Sequence, residues 1–497
     1  MRHRSNCDRR LSEYTQKIAE HPTLLFFFVL IKLHPSGKIQ KTVLLPQKAQ
    51  KTGQKLTRPR GKNMNSIWQK EIEKPSFNTL VGDIKTDVLV IGGGIAGLLC
   101  AYKLTTAGVD CTLVEGATIA RGTTANSTAK ITLQHGLIYH RLIKRFGIEQ
   151  AQLYLAANRE ALDEYEKIAS IIDCEYEKKP SFVFSRDKRR TLESEMRALE
   201  LIGCPAELAA ELPLPISTVG AVKIENQAQL HPLKFAFSIA KNLKIYEHTM
   251  VRGIAGNTAI TDKGKIFAKK IIVATHFPFI NKYGLYFMKM YQHRSYVISL
   301  RGANRIHGMY VDNDKKGLSF RESKDLLLLG GASHRTGENG GGWQELTNFA
   351  KEAYPRAEIT DRWAAQDCIT LDGMAYVGRY SPSTEGLYVA TGFNKWGFTT
   401  SMVAANILVD LILDRESPYA EVFSPGRNIL CPELLGNIFK STVGLITPTV
   451  PRCTHLGCAL KYNPYEHSWD CSCHGSRFDK DGEVLENPAT KNLKRQE

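Results

Sequence analysis

Between residues 87 and 115 an apolar run is followed by closely spaced glycines, a combination that few folds accommodate. The run Asp87-Val-Leu-Val-Ile91 suits a buried parallel strand, and Gly92-Gly-Gly94-Ile-Ala-Gly97 follows it directly. An apolar helical stretch and a second short strand, residues 111–114, come next and end at Glu115. This order of strand, glycine-rich turn, helix, strand and acidic residue predicts a doubly wound, Rossmann-like α/β domain with a dinucleotide site.

Four residues of this segment have a physical role in holding a dinucleotide. Gly92 turns the chain, and Gly94 lets a pyrophosphate approach the helix N-terminus, where backbone N–H groups are available. Gly97 permits close packing of the helix on the strand, and Glu115 is placed to accept hydrogen bonds from a ribose. We therefore predict Gly92, Gly94, Gly97 and Glu115 as cofactor-binding residues.

Two short segments near the C-terminus pair cysteines with histidines at matched positions. The first is Cys453-Thr-His455-Leu-Gly-Cys458, and the second is Cys471-Ser-Cys473-His474-Gly-Ser. Two thiolates and two imidazoles suit a two-iron, two-sulfur centre, and imidazole in place of thiolate raises the reduction potential to roughly −150 to +300 mV. The alternative is a structural zinc site. We favour the iron–sulfur centre because zinc requires neither the His-x-Gly-Cys nor the Cys-His-Gly-Ser context.

The two segments resemble the CxHxGC and CxCHG boxes of Rieske proteins. The resemblance implies four ligands of a [2Fe-2S] cluster, namely Cys453 and Cys471 on one iron and His455 and His474 on the other. It also implies a disulfide between Cys458 and Cys473, as in respiratory Rieske proteins. Ser476 is kept, but Phe478 stands where the family has a Tyr that bonds a ligand sulfur. We therefore expect a lower potential than in the respiratory proteins.

Residues 84 to about 425 resemble FAD-dependent oxidoreductases of the D-amino acid oxidase and glycine oxidase type. Four segments carry the resemblance: Arg121-Gly-Thr-Thr-Ala-Asn-Ser127, Gln227-Ala-Gln-Leu-His231-Pro, Ile271-Ile-Val-Ala-Thr275 and Ala390-Thr-Gly392-Phe-Asn-Lys-Trp-Gly397. The resemblance implies FAD as the cofactor and six further contact residues: Arg121, Thr123, Thr124, Val251, Gly392 and Gly397. A helix that begins beside the flavin would stabilise negative charge on the reduced ring.

The resemblance also implies a domain organisation. A Rossmann-like α/β FAD-binding domain would be interleaved with an α+β antiparallel-sheet substrate domain and followed by a small all-β Rieske domain. The expected ranges are 84–165, 217–280 and 366–415 for the cofactor domain, 166–216 and 281–365 for the substrate domain, 426–446 for a linker and 447–497 for the Rieske domain.

Periodicity adds several expected elements to this organisation. Apolar spacing predicts a helix over residues 151–172 and strands at 181–184, 295–300 and 326–329. The Rieske part is only about fifty residues long. We therefore expect it to dock on the flavoprotein and to draw stability from bound metal.

One departure from the glycine oxidase pattern bears on the substrate. Those enzymes carry an Arg that clamps a substrate carboxylate, whereas this chain has Trp363-Ala-Ala-Gln-Asp367-Cys in that place. An Asp cannot bind a carboxylate, so an ordinary amino acid loses its main support. Arg294, Arg321 and Arg335 are candidate replacements, but we interpret each as a solvated surface charge. We interpret three histidines as structural and assign no catalytic base: His135, His231 and His334.

The net charge of +16 is concentrated at the N-terminus. Residues 1–63 carry fourteen Lys or Arg and three acids, which leaves a surplus of +5 for residues 64–497. The remainder lacks basic and aromatic interleaving, so we predict no nucleic-acid partner. The apolar run 24–31 is too short to cross a bilayer, and we predict no integral membrane segment. We interpret residues 1–63 as a basic extension outside the working protein, with translation from Met64; an organelle transit peptide is the alternative.

Together these patterns predict an FAD-dependent oxidoreductase. A small, amine-like substrate would exchange electrons with flavin, and the Rieske cluster would pass them singly to or from an external donor or acceptor. A dehydrogenase is favoured over an oxidase, because an electron exit has no use if oxygen takes both electrons. The alternative is a redox sensor or electron-transfer module without small-molecule turnover. The seven cysteines outside the two boxes show no pairing pattern, which is typical of a reducing compartment and predicts a cytoplasmic, bacterial-type protein.

Overall fold

A computed structural model describes residues 65–70, 72–314, 317–448 and 451–494. The predicted basic extension and its boundary at Met64 lie outside these residues. The helices are α1 (Ile95–Thr106), α2 (Thr123–Asn126), α3 (Tyr139–Phe146), α4 (Ile148–Ala169), α5 (Arg189–Leu201), α6 (Pro232–Ala240), α7 (Tyr286–Lys289), α8 (Gly342–Ala353), α9 (Gly397–Ile412) and α10 (Pro432–Ile446). Within the described ranges, no helix is both long enough and apolar enough to cross a membrane.

The strands form three sheets. In chain order they are β1 (Ile84–Ile91), β2 (Cys111–Val114), β3 (Lys130–Ile131), β4 (Glu177–Ser185), β5 (Glu207–Ala209), β6 (Gly220–Gln229), β7 (Lys244–Tyr246), β8 (Val251–Ala255), β9 (Thr258–Thr261), β10 (Lys265–Val273), β11 (Met290–Arg301), β12 (Met309–Asp312), β13 (Ser319–Ser323), β14 (Leu326–Arg335), β15 (Glu358–Thr370), β16 (Tyr376–Arg379), β17 (Leu387–Thr391), β18 (Leu460–Asn463), β19 (Ser468–Cys471), β20 (Arg477–Phe478) and β21 (Val484–Glu486).

The first sheet holds the glycine-rich turn. It has eight strands, with the main order β16-β17-β10-β1-β2-β7, and β1 pairs in parallel with both β10 and β2. Leu89 and Val90 of β1 are both fully buried, as expected of a parallel strand that is covered on both faces. The predicted strand, glycine turn, helix and second strand are confirmed as β1, α1 and β2.

The second sheet is the substrate-domain sheet, with nine strands in the main order β15-β11-β14-β13-β12-β4-β6-β3. The three predicted strands are confirmed within β4, β11 and β14, and the predicted helix 151–172 is confirmed as α4, which ends three residues earlier. The expected domain division stays a prediction, and the pairing of one strand differs from it. Strand β6 falls in the range 217–280 given to the cofactor domain, but it pairs antiparallel with β4 in the substrate-domain sheet. The range was implied by the family resemblance, which does not specify the strand that β6 pairs with.

The third sheet is small and all-antiparallel, in the order β18-β19-β20-β21, and follows α10. Its buried core comprises Cys453, Cys458, Leu460, Cys471, Cys473, Phe478 and Ala489. Four of these seven residues are cysteines of the two predicted boxes. A core of this size needs a metal or a partner surface to be stable, in agreement with the expected docking.

The predicted linker, residues 426–446, contains a helix. Pro432 starts α10, as proline commonly does in the first turn. The inner side of α10 carries Asn437, whose Nδ2 donates to Met288 O at 2.9 Å, and Gly444, where a Cβ would overlap Cys473 Sγ. The outer side exposes Leu435 and Phe439. The segment therefore connects the flavoprotein to the cluster loops with a packed helix.

Candidate functional site

One cavity of ≈ 1280 Å³ connects the glycine-rich turn to the C-terminal sheet. Its walls come from β1 and β2, from β11, β14 and β15, and from residues 484–487. Nine of the ten predicted cofactor-binding residues line it: Gly92, Gly94, Glu115, Arg121, Thr123, Thr124, Val251, Gly392 and Gly397. Gly97, the tenth, lies beneath the turn. The arrangement fits a dinucleotide, although the individual contacts stay a prediction.

Glu115 orders the turn around this cavity. Its carboxylate accepts hydrogen bonds from Gly93 N at 2.7 Å and Ala117 N at 2.8 Å, while Thr124 Oγ1 accepts from Ile95 N at 3.0 Å. Burial raises the pKa of Glu115, and the two backbone N–H groups oppose that rise. The N-terminal turn of α1 is thus held open toward the cavity, as an anion site requires.

Gly97→Ala should abolish FAD binding. A Cβ at this position would overlap the Gly92 carbonyl oxygen, so α1 would have to move away from β1. Overpacking of this kind costs about 1–3 kcal/mol and would displace the pyrophosphate site. The measurement is the FAD content of the purified protein. Gly253→Ala is the matched control, because its Cβ would meet nothing within 4 Å; equal FAD content in both variants would contradict the prediction.

The three arginines interpreted as surface charges are in fact buried, so that interpretation is wrong. Arg294, Arg321 and Arg335 are only 5%, 3% and 8% exposed. Arg321 donates to the carbonyls of Thr128, Ala129 and Leu230. The other two bind groups of the C-terminal domain, described below. A buried guanidinium requires such partners, and these bonds use the donors that a substrate carboxylate would need.

The three histidines have structural contacts. His135 Nδ1 lies 2.6 Å from Tyr154 Oη, and the ring stacks on Trp396. His231 caps α6 by accepting from Lys234 N at 3.1 Å. His334 stacks on Tyr296 and is buried. Burial lowers the pKa of His135 to about 3 and that of His231 to about 4, so both rings are neutral near pH 7.

The predicted cluster ligands converge at the edge of the flavoprotein. Cys453 and Cys471 are buried, and the rings of His455 and His474 lie 5.0 Å apart. Nδ1 of both histidines is buried with no hydrogen-bond partner among the described residues. Burial lowers the pKa of His455 to about 3 and that of His474 to about 4, which keeps the imidazoles in the neutral, metal-binding form. Two thiols and two orphaned ring nitrogens fit a Rieske cluster.

A partner outside the boxes orients His455. Its Nε2 lies 2.9 Å from Asn281 Oδ1, which precedes α7 in the flavoprotein. A ligating histidine commonly donates its second ring N–H to such an acceptor, which fixes the tautomer. Nδ1 is thereby left as the ligand atom.

The predicted disulfide is not formed in this structure, and Cys458 and Cys473 are free thiols. Their Sγ atoms, together with Cys471 Sγ, lie within 4.8 Å of one another. A small movement would therefore bring the two sulfur atoms together, and the disulfide bond stays a prediction.

Comparison with known proteins identifies both domains. Residues 87–411, more than half of the chain, match the FAD dependent oxidoreductase family, and residues 436–497 match the Rieske [2Fe-2S] domain. The chain belongs to the FAD-dependent oxidoreductase family. The Bacillus subtilis (strain 168) protein named "Putative Rieske 2Fe-2S iron-sulfur protein YhfW" is 33% identical over 492 residues, covering 86% of this chain and 97% of that protein. The oxidoreductase thus binds FAD and a Rieske [2Fe-2S] cluster, as predicted.

More distant relatives share parts of the oxidoreductase. Gamma-glutamylputrescine oxidoreductase of Escherichia coli (strain K12) is 28% identical over 225 residues, 40% of this chain and 50% of that one. Glycine oxidase from Geobacillus kaustophilus, a solved structure, is 20% identical with a TM-score of 0.58, covering 69% of this chain and 99% of its own. L-proline dehydrogenase from P. horikoshii is 18% identical with a TM-score of 0.58, covering 70% and 98%. The structural likeness confirms the predicted fold.

Two glutamines of the oxidoreductase hold the second cluster loop, and no sequence pattern points to either of them. Gln292 Nε2 donates to His474 O at 2.9 Å, and Gln366 Nε2 donates to Gly475 O at 2.8 Å. Gly475 has φ 85°, and a Cβ there would overlap the Gln292 side chain. Gln366 O also accepts from Thr123 Oγ1 at 2.9 Å. The predicted pyrophosphate segment and the cluster loop are thus joined through a single residue, and the expected docking is confirmed.

A buried ion cluster fastens the Rieske sheet to β11. Its members are Arg294, Glu466, Asp470, Arg477 and Glu486. Arg294 binds both carboxylate oxygens of Glu466 and lies 2.8 Å from Glu486 Oε1 through Nη1. Arg477 reaches Asp470, Glu466 and Glu486 at 2.9–3.2 Å. Strong charge-assisted hydrogen bonds therefore cross the domain interface. All members of the ion cluster except Asp470 also line the cavity.

Proposed function

We propose that this oxidoreductase withdraws electrons from a small cationic amine and delivers them through the Rieske cluster to an external acceptor, acting as a dehydrogenase. The observation that carries the proposal is the single cavity bounded by the glycine-rich turn at one end and by Rieske residues Glu486 and Asn487 at the other. When bound, FAD supplies the chemistry of hydride acceptance, and the cluster supplies single-electron transfer.

Asp367 supports the choice of a cationic substrate. It lies on β15 and lines the cavity. Lys395 lines the same cavity, and its Nζ donates to Ser333 Oγ at 3.0 Å. Burial raises the pKa of Asp367, and Lys395 and His276 oppose that rise. A carboxylate here can bind a substrate ammonium group and accept its proton.

The charged groups around Asp367 also argue against a free amino acid as substrate. Arg294 and Arg477 line the cavity, but their guanidinium groups are bound to the carboxylates of the ion cluster. A substrate carboxylate would therefore find the donors of both arginines occupied and would meet the anionic Asp367, with Lys395 as the cation left to bind it. The relative named for gamma-glutamylputrescine, a derivative of a diamine, supports an amine as the substrate class.

The proposal is tested by anaerobic titration of the full holoprotein with a panel of amines and matched amino acids. Flavin absorbance reports the first transfer, and the electron paramagnetic resonance signal of the reduced Rieske cluster reports the second. We expect an amine to bleach the flavin and then to produce the cluster signal. If only dithionite produced that signal, the redox sensor or electron-transfer module would be the correct function.

Asp367→Asn should lower kcat/KM for reduction of flavin by the amine about 100-fold, since the amide cannot accept the amine proton. In the parent protein, the rate should fall as pH drops through the raised pKa of Asp367, because protonation removes the anion; the variant should lack this decline. Anaerobic stopped-flow measurements across the acid range check both effects. Asp361→Asn, on the same strand but paired with Lys70, is the control and should retain the parent rate. An unchanged Asp367→Asn variant would remove Asp367 from the mechanism.

A further inference from the structure

We infer that Arg335, a residue of the flavoprotein, is a positioning residue that raises the reduction potential of the Rieske cluster. The guanidinium reaches the second cluster loop from the end of β14. Its Nε donates to Ser472 O at 2.9 Å, and its Nη2 donates to Cys473 O at 3.0 Å. These two carbonyls lie between the ligands Cys471 and His474. The positive charge is thus attached directly to the peptide segment that holds both irons.

The surroundings of Arg335 fix it in this place. Nη2 also donates to Asn437 Oδ1 of α10 at 2.7 Å, and the guanidinium carbon lies 4.7 Å from the centre of the Tyr291 ring. The side chain is 8% exposed. A planar guanidinium held by three acceptors and an aromatic face keeps one orientation, so its charge acts on the cluster from a constant distance.

The charge of Arg335 is not neutralised by a carboxylate. Its acceptors are two backbone carbonyls and an amide, and within the described part of the chain it forms no ion pair. The nearby Glu338 is bound to Lys440. By contrast, Arg294 binds two carboxylates of the ion cluster. Arg335 therefore contributes a net positive charge beside the cluster.

A buried cation favours whichever redox state carries more negative charge. Reduction adds one electron to the cluster, and in a poorly solvated interior the attraction to a fixed guanidinium is only weakly screened. Net charge and hydrogen bonds around an iron–sulfur cluster are the terms by which proteins set its potential. Arg335 thus opposes the lowering expected from Phe478, which lacks a hydroxyl to bond a ligand sulfur.

Loop attachment alone does not require this charge. Gln292 and Gln366 already hold the carbonyls of His474 and Gly475 with neutral donors, and Asn281 holds His455. The loops are therefore anchored on both sides of the cluster by uncharged groups. Arg335 adds hydrogen bonds to two further carbonyls of the loop, and it is the group among these anchors that carries a charge.

The test is a potentiometric titration of the cluster in the full holoprotein, followed by its electron paramagnetic resonance signal. Arg335→Gln and Arg335→Met both remove the charge, the first keeping a polar end and the second leaving none. We expect each to lower the potential enough to change the ratio of reduced to oxidised cluster at least tenfold at a fixed potential, which is 59 mV for one electron. Arg335→Lys keeps the charge and should stay near the parent value.

Arg321→Gln is the matched control, since it removes an equally buried guanidinium that binds only flavoprotein carbonyls. Its cluster potential should equal that of the parent. A loaded neutral Arg335 variant with the parent potential would overturn the inference. Loss of iron from both neutral variants, with Arg335→Lys loading normally, would also overturn it by showing a structural role. Because the measurement requires no substrate, its outcome is independent of the proposed amine activity.

Discussion

Arg294→Met is expected to lower the free energy of unfolding of the Rieske domain by about 3–5 kcal/mol and to release that domain from β11. The side chains of Arg294 and Glu466 are each only 6% exposed. Removing Arg294 leaves three carboxylates of the ion cluster facing the single guanidinium of Arg477. The penalty comes chiefly from these uncompensated buried charges, because a buried ion pair that remains intact contributes little net stability.

Arg301→Met is the matched control for this substitution. Arg301 lies on the same strand and pairs with Asp325, but the two side chains are 58% and 63% exposed. An exposed pair of this kind contributes at most about 1 kcal/mol. Urea denaturation followed by cluster absorbance and by flavin fluorescence reports the two domains separately. If the denaturation transition followed by Rieske-cluster absorbance shifted equally in the two variants, the ion cluster would not hold the interface.

The ion cluster also predicts how the interface responds to acid. Burial alone would raise the pKa of Glu466, but the guanidinium groups of Arg294 and Arg477 outweigh burial and lower it to about 2. A carboxyl whose pKa is lower in the folded state than in the unfolded state stabilises the protein at pH values above its unfolded pKa of about 4.3. This contribution should be lost as pH falls from about 4 to about 2. In Arg294→Met one of the two guanidinium groups is gone, so the dependence on pH in this window should be weaker.

The parts of the site that could be predicted from sequence are those whose chemistry lies within a few consecutive residues. The turn at Gly92 and the Cys-x-His box at Cys453 each specify a local backbone shape and a ligand set. Such patterns do not depend on the partner that the segment later meets. The predicted lining residues and ligands were accordingly brought together by the fold.

The interface could not be predicted because its partners are far apart in sequence. Arg294 meets Glu466 across 172 residues, and Gln366 meets Gly475 across 109. A single arginine in an antiparallel strand is more often solvated, and only the acid on the other domain reverses that expectation. The pairing of β6 with β4 is a related case, since the range 217–280 came from the family resemblance, and the strand that β6 meets lies about forty residues away in sequence.

Cys471→Ser is expected to remove the Rieske cluster completely while leaving FAD bound. Cys471 is fully buried at the end of β19, and its backbone accepts from Gly475 N at 2.9 Å, so the second loop is built around it. A hydroxyl is a poor substitute for a thiolate on iron. Because metal binding and folding are coupled in a domain with so small a core, the Rieske sheet should also lose most of its resistance to denaturant.

The expected consequence for electron flow separates the two halves of the oxidoreductase. In Cys471→Ser, anaerobic reduction of flavin by the amine should persist in a single turnover, because the FAD-binding turn at Gly92 is remote in sequence and belongs to another sheet. Reduction of an external one-electron acceptor should fall to background. Cys431→Ser is the control, since this half-buried cysteine lies at the N-terminus of α10 and belongs to neither box. Iron and sulfide analysis decides the outcome: two irons retained in Cys471→Ser would exclude Cys471 as a ligand, and zinc in place of iron in the parent protein would exclude the cluster itself.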